Sequence, residues 1–271
     1  MTNIIEDIEQ RKQAWAEVIF KAQYDNRQIS APSQRFGELN LEQAYDVQLH
    51  LADRWQAEGY KQLGWKVGAT SFAILEQMKG RIDEPMYGFL REGKVFGQDG
   101  TVSRGDFFGF GLEAEIGVVM GKTLRGPHVT DEQAAKAVDS VIALGEILDG
   151  RIAGQPADRT IQDGAADNGL HGGIIYGPKY VSAQGFDFEH EGVVVRINGK
   201  LIASACGVEA LGSPLNVVAW LANALARQGR QLEAGQIVST GSLTKIIEAE
   251  PGQTVEMSWG NLGIVRIKVD D

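Results

Sequence analysis

From Leu63 onward the apolar residues fall into short runs punctuated by glycine, and most of the chain's 34 glycines lie in this part of its 271 residues. Runs of that length, alternating or continuously apolar, read as strands rather than helices. The clearest hairpin joins Val193–Ile197 to Leu201–Ala205 through Asn198-Gly199, because Asn-Gly accepts the positive φ angles of a two-residue type I′ turn. Two more strands are expected at Thr254–Trp259 and Gly263–Val269, with Asn261 in their connection. The residues before Leu63 have a different texture. Ile4, Ile5, Ile8, Trp15, Val18, Ile19 and Ala22 recur at spacings of three and four, which predicts an amphipathic helix over 4–24. Asn40, with Gln43 three residues on, caps a second helix whose apolar face runs through Ala44, Val47, Gln48, Leu51 and Trp55 to Gly59. Between the strands two helices are expected, Asp131–Leu144 capped by Thr130 and Gln133, and Pro214–Gln228 stopped by Gly229. With no repeat or linker visible, the expectation is one α+β domain: a helical N-terminal region over 1–62 and a mostly β core over 63–271.

Charge and cysteine content narrow the partners. Twenty-six Lys and Arg against 36 Asp and Glu give a formal charge of −10, which disfavours tracking a nucleic-acid backbone and points to a small molecule or a protein. A lone cysteine, Cys206, forms no intrachain disulfide and fits a reducing compartment, so a cytoplasmic location is expected. The N-terminus carries acidic residues and no apolar core of a signal peptide, and no window is apolar enough to span a membrane.

The chemistry concentrates in a few segments. Glu113 and Glu115 stand two apart in Gly-Leu-Glu-Ala-Glu-Ile-Gly-Val-Val-Met, so on a strand they share one face. Two readings are open: a solvated edge face, or buried carboxylates that need a cation or protons. Glu146 and Asp149 add charge to a second apolar run, Ala-Leu-Gly-Glu-Ile-Leu-Asp-Gly-Arg-Ile, and three carboxylates without a Cys/His cluster suit a hard ion, Mg2+ or Mn2+. Asp149 and Arg151 also read simply as an ion pair at a turn. Lys66, flanked by Gly64 and Gly68, either snorkels to the surface or faces an anion. His171 lies in the glycine-rich stretch Asp-Asn-Gly-Leu-His-Gly-Gly, which reads as a pocket-lining loop or a plain turn; His50, His128 and His190 are scattered. Gly109-Phe-Gly111 lacks the third glycine of a dinucleotide fingerprint, and there is neither a Walker motif nor a Gly-x-Ser-x-Gly elbow.

Seven segments, in order, resemble the 2-oxoacid hydratases and decarboxylases of aromatic meta-cleavage pathways, within the fumarylacetoacetate hydrolase superfamily. They are Gly-Trp-Lys-Val-Gly-Ala-Thr-Ser at 64–71, Glu-Pro-Met-Tyr-Gly-Phe-Leu at 84–90, Glu-Ala-Glu-Ile at 113–116, Glu-Ile-Leu-Asp-Gly-Arg-Ile at 146–152, Asp-Asn at 167–168, Leu-Gly-Ser-Pro-Leu-Asn-Val-Val-Ala-Trp-Leu-Ala at 211–222 and Glu-Ala-Gly-Gln-Ile-Val-Ser-Thr-Gly-Ser at 233–242. The resemblance implies a mixed, mostly β roll with flanking helices, usually in a homo-oligomer, and a complex with a related decarboxylase or hydratase. It implies Mg2+ or Mn2+ on Glu113, Glu115 and Glu146, catalytic roles for Lys66 and His171, and contacts to a 2-oxo or 2-hydroxydienoate substrate at Lys66, Thr70, Ser71, Thr240, Gly241 and Ser242.

Two departures bear on the reaction. Met86 stands where many hydratases carry an aspartate, and Leu170 where relatives often carry a small polar residue. Decarboxylases resemble Glu84–Leu90 more closely, whereas Asn216–Ala222 resembles hydratases. Hydration of a 2-hydroxy-2,4-dienoate is the leading expectation, because decarboxylation requires a site for a second carboxylate and Arg151 is the only arginine of the matching segments placed to provide one. Acylpyruvate hydrolysis, for which the sequence places no histidine of a Glu–His dyad, and a non-catalytic partner subunit are the remaining readings.

Overall fold

The computed structural model describes residues 4–71, 75, 82–154 and 159–271. Helix α1 (Ile8–Tyr24) starts where the Asp7 carboxylate accepts from the Gln10 amide, four residues later than the periodicity predicts, and leaves Ile4 exposed. A short α2 (Pro32–Phe36) intervenes before α3 (Leu41–Ala57), which has the expected reciprocal cap between Asn40 and Gln43. Trp15 and Ile19 of α1 and Leu51 of α3 are fully buried, and the rings of Phe20 and Trp55 lie 4.9 Å apart. These helices share one continuous apolar cluster with residues of the strands.

The strands are β1 (Gln62–Gly68), β2 (Met86–Arg91), β3 (Val95–Phe96), β4 (Gly100–Ser103), β5 (Gly111–Met120), β6 (Val138–Leu148), β7 (His171–Tyr176), β8 (Val181–Ser182), β9 (Gly192–Ile197), β10 (Lys200–Cys206), β11 (Ile237–Ser239), β12 (Thr254–Trp259) and β13 (Gly263–Asp270). They form two sheets, in the orders β2-β1-β11-β5-β6-β7-β3, with β8 beside β6, and β10-β9-β12-β13-β4. The β9–β10 hairpin turns at Asn198 (φ 49°) and Gly199 (φ 80°), the two positive angles the Asn-Gly sequence predicts. Helices α4 (Asp131–Ala137), α5 (Ile161–Ala166) and α6 (Pro214–Arg227) flank the sheets. The result is the mixed α+β roll that the sequence suggested. Among the described residues no helix is long and apolar enough to cross a membrane.

One expected element is wrong. The helix predicted over Asp131–Leu144 ends at Ala137, and the chain continues directly into β6. Ala134, Ala137, Val138, Val141 and Leu144 satisfy helical spacing, but all but one of the β6 positions are buried, so the run is apolar on both faces and satisfies strand pairing equally well. Pairing with β5 over its whole length and with β7 decides in favour of the strand.

The helical layer is fastened to the rest by a buried carboxylate. Asp163 of α5, fully buried, accepts from the Ser33 amide (2.9 Å) and hydroxyl (2.6 Å) and from the Thr160 amide (2.8 Å) and hydroxyl (2.9 Å). Replacing Asp163 by alanine strands these donors, each of which costs free energy when left unpaired in the interior. The expected loss is about 3 kcal/mol, read as a lower denaturant midpoint at unchanged slope; an unchanged midpoint would refute this fastening role.

Candidate active site

Three carboxylates meet because of strand register. Glu113 and Glu115 share a face of β5, and the antiparallel partner β6 places Glu146 directly opposite Glu113. Further along this face of the sheet, Val119, Ile142, Leu144, Ile174, Ile237 and Leu90 pack together as an apolar cluster. The same surface is thus greasy at one end and acidic at the other. One carboxylate oxygen from each of Glu113, Glu115 and Glu146 lies within 4.8 Å of the others, with Glu115 and Glu146 fully buried and Glu113 half-buried.

The cation of this cluster is Lys66. Strand β1 pairs with β11, which pairs with β5, so Lys66 aligns with Ser239 and Ser239 with Gly117. Lys66 is buried, and its Nζ lies 3.4 Å from Oε1 of Glu146. The snorkelling reading is therefore wrong for Lys66. His171, at the start of β7, is also buried, with Nδ1 2.8 Å from the same Glu146 oxygen. The plain-turn reading fails for it too, because the loop before it delivers the ring into the sheet face. His50, His128 and His190 are exposed. Among the described residues Glu146 is the one of these three glutamates that contacts a histidine, which corrects the expectation that no histidine would pair with a glutamate; here that glutamate also belongs to the carboxylate cluster.

Electrostatics separate the three glutamates. Burial, reinforced by the negative charge of Glu146, pushes Glu113 up to about 7. Glu115 is driven well above the ordinary carboxylate range by burial and then by Glu146 and Glu113, although Ser239 and the Gly241 amide counteract this. Burial pushes Glu146 in the same direction, but Lys66 and His171 outweigh it and hold this carboxylate below its ordinary value. For Lys66 burial works against the charge, and the three glutamates more than compensate and raise its pKa. Burial lowers the His171 pKa, which favours the neutral ring.

The remaining expected residues divide into those that face space and those that build walls. Glu115 Oε2 accepts from the Ser239 hydroxyl in a short contact and from the Gly241 amide at 2.9 Å. Gly241 has φ 96°, and Thr70 packs so closely that a Cβ there would lie 2.0 Å from the Thr70 hydroxyl, so this position requires glycine. The Thr240 hydroxyl is committed to the Ile116 carbonyl at 2.7 Å and lines neither cavity beside the cluster. Thr70, Ser71 and Ser242 line the larger cavity, and the Ser242 hydroxyl donates to the Thr244 carbonyl at 2.8 Å. Arg151 is buried between Asp149 and Asp167, at 2.7 Å from each, and lines neither cavity. The ion-pair reading holds for Asp149 and Arg151, and it removes Arg151 as a receptor for substrate.

Sequence reasoning passed over Ser239 and Asn168. Ser239 had a usable signal, two positions before Gly241 in a strand next to that of the glutamates. Asn168 clamps β2 by accepting from the Phe89 amide (2.7 Å) and donating to the Phe89 carbonyl (2.9 Å). It opens a left-handed run, with φ 64° at Asn168, 62° at Gly169 and 63° at Leu170, that holds Leu170 against both cavities. Two residues with side chains in this region, one on each side of Gly169, are costly unless the surroundings fix them, and such strain concentrates at functional loops.

Residues 64–270 match the model of the family described as Fumarylacetoacetate (FAA) hydrolase C-terminal, and the chain belongs to that family. The full-length relatives at 30% identity or more include hydratases and decarboxylases, which are lyases, and the chain is a lyase of this kind. The 2-keto-4-pentenoate hydratase of Paraburkholderia xenovorans (strain LB400) is 31% identical over 264 residues, covering 97% of this chain and 96% of the relative. The 2-oxo-hept-4-ene-1,7-dioate hydratase of Escherichia coli is 33% identical over 254 residues, covering 92% and 94%. Among solved structures, 4-oxalocrotonate decarboxylase from Pseudomonas putida G7, complexed with magnesium and adipate, matches with a TM-score of 0.91 and 32% identity over 98% of this chain and 100% of that one.

Proposed function

We propose that the protein is a divalent-metal-dependent hydratase of 2-hydroxy-2,4-dienoates. The observation that carries this reading is the cluster of Glu113, Glu115 and Glu146, in which Glu115 Oε1 and Glu146 Oε2 are buried with no hydrogen-bond partner among the described residues. Orphaned buried carboxylate oxygens are costly, and a hard cation satisfies them. The all-oxygen donor set fits Mg2+ or Mn2+. A cation bound by these three residues supplies the positive charge that stabilises the enolate of a 2-oxo acid.

The chain's own residues account for the rest. Ser239 and the Gly241 amide fix Glu115, while His171 fixes Glu146, so the donor oxygens are held before any ligand arrives. Lys66, 3.4 Å from Glu146 Oε1, lines the smaller cavity with Glu113, whereas His171, closer to that oxygen at 2.8 Å, does not line it. The Lys66 ammonium attracts the anionic substrate and moves a proton between the dienol oxygen and the carbon chain. Protonation at C5 gives the α,β-unsaturated ketone, water adds at C4, and its second proton goes to C3. Met86 and Leu170 make the wall of the smaller cavity apolar, while Leu170 also borders the larger cavity, where Thr70 and Ser242 place hydroxyl groups. The protein works in the cytoplasm, as a homo-oligomer or together with a related decarboxylase or hydratase.

Decarboxylation is the second reading, favoured by Met86 on the cavity wall where hydratases use an acid. Incubation with Mg2+ and either 2-hydroxypenta-2,4-dienoate or 4-oxalocrotonate separates the two, because the products differ by a gain of water or a loss of CO2. The expected result is water addition to the dienoate, abolished by excess chelator and restored by Mg2+ or Mn2+. Faster release of CO2 from 4-oxalocrotonate would reverse the assignment.

A further inference from the structure

The smaller cavity, of 290 Å³, is lined by Lys66 and Glu113 and also by Arg159. Its volume lies near the lower end of the roughly 300–1,000 Å³ usual for ligand pockets and suits a short-chain acid. Met86, Ile161, Leu170 and Ile246 supply apolar wall, the surface a conjugated carbon chain needs. Arg159 comes from outside the strand face, on the segment that enters α5, where Thr160 and Asp163 form a reciprocal cap. Its Nη1 donates to the Ile152 carbonyl at 3.0 Å, which anchors one end of the guanidinium. Among the described residues no carboxylate pairs with it. Asp167 lines the same cavity, but one of its oxygens is taken by Arg151 at 2.7 Å and by Gln23 at 3.0 Å.

A half-buried guanidinium beside an apolar cavity, fixed by a backbone carbonyl and carrying further donors, is suited to a carboxylate. We infer that Arg159 binds the distal carboxylate of a dicarboxylate substrate, so that the site turns over monocarboxylate dienoates but prefers their dicarboxylate counterparts, with the 2-oxo acid end at the Glu113–Glu115–Glu146 cluster and the far end at Arg159. The inference rests on the proposed 2-oxo acid chemistry of that cluster but holds for hydration and decarboxylation alike. It also supplies the cation that Arg151, locked between two aspartates, does not.

The rival cations are Arg196 and Lys245, which line the larger cavity together with Glu113; Arg196 is half-buried and Lys245 exposed, so Arg196 is the stronger rival. Binding of two non-reacting ligands decides between them. In the presence of Mg2+, calorimetric titration of the full-length protein compares 2-oxoadipate with 2-oxohexanoate, which share a 2-oxo acid end and differ only in the terminal carboxylate. The expected preference for 2-oxoadipate is about 10- to 100-fold, the usual worth of a charge-assisted contact. Arg159→Met brings that preference close to one, Arg159→Lys restores part of it, and Arg196→Met leaves it in place. No preference in the parent, a preference that survives Arg159→Met, or one that Arg196→Met removes would overturn the inference. Failure of both ligands to bind in the presence of Mg2+ would instead strike at the cluster's proposed chemistry and carry the inference down with it.

Discussion

Glu115→Gln protein is expected to bind Mg2+ at least about 100-fold more weakly than the parent and to turn over at background rates. Glutamine keeps the shape of the side chain and can still accept from Ser239 and the Gly241 amide, so the local hydrogen bonds survive. What is lost is one formal charge and one of the three oxygens that lie within 4.8 Å of each other. Without metal, burial and the neighbouring carboxylates already favour the neutral form of Glu115, so the uncharged amide removes no needed charge and the variant should melt no lower than the parent. That sign separates a ligand from a structural residue. Mg2+ titration, turnover and thermal melting together give the test; parental Mg2+ affinity and turnover would place the metal elsewhere.

For Lys66→Met the expected pattern is the opposite split. The catalytic rate should fall by about two orders of magnitude or more, the range for a lost general acid or base. Affinity for Mg2+ should not fall, because the ammonium at 3.4 Å from Glu146 Oε1 repels any dication held by that carboxylate. Measuring kcat and Mg2+ affinity on the same preparation distinguishes two failures. A parental kcat would reduce Lys66 to a counter-charge, whereas a collapse in Mg2+ affinity would make it an organiser of the carboxylates.

The fold was legible where the sequence pattern was unambiguous and opaque where two periods fitted equally well. Asn198-Gly199 admits only a tight hairpin, and the spacing around Trp15, Leu51 and Trp55 admits only helices with one buried face. Val138–Leu148 is apolar on both faces, a pattern shared by buried strands and buried helices, and only the pairing with β5 distinguishes them. The site shows the same division. Glu113 and Glu115 could be placed on one face from their spacing, since the period of a strand is local information. That Glu146 stands opposite Glu113 depends on the register between two separate strands, and its place beside the pair was anticipated only by the resemblance. His171 and Lys66 looked ambiguous because a lysine or histidine among glycines gives no sign of whether it turns inward. Arg159 carried no sign at all: it belongs to no motif, and its position depends on how the chain enters α5.

The strand order β1-β11-β5-β6-β7 draws Lys66, Ser239, Glu113, Glu146 and His171 onto one surface from segments far apart along the chain. No contiguous fragment contains the site. Strands β5, β6 and β7 follow one another along the chain and pair side by side, bringing the three glutamates and His171 together, whereas β1 and β11, remote from each other in sequence, contribute Lys66 and the Ser239 hydroxyl. Contacts between such remote segments are slow to form, because the loop entropy is lost before they stabilise anything. In the finished molecule, a cation that binds the native chain alone and is present at about 100 times its dissociation constant adds about 2.7 kcal/mol to the stability of the whole molecule. The acidic cluster thereby ties the occupancy of a single ion to the folding equilibrium of the entire polypeptide.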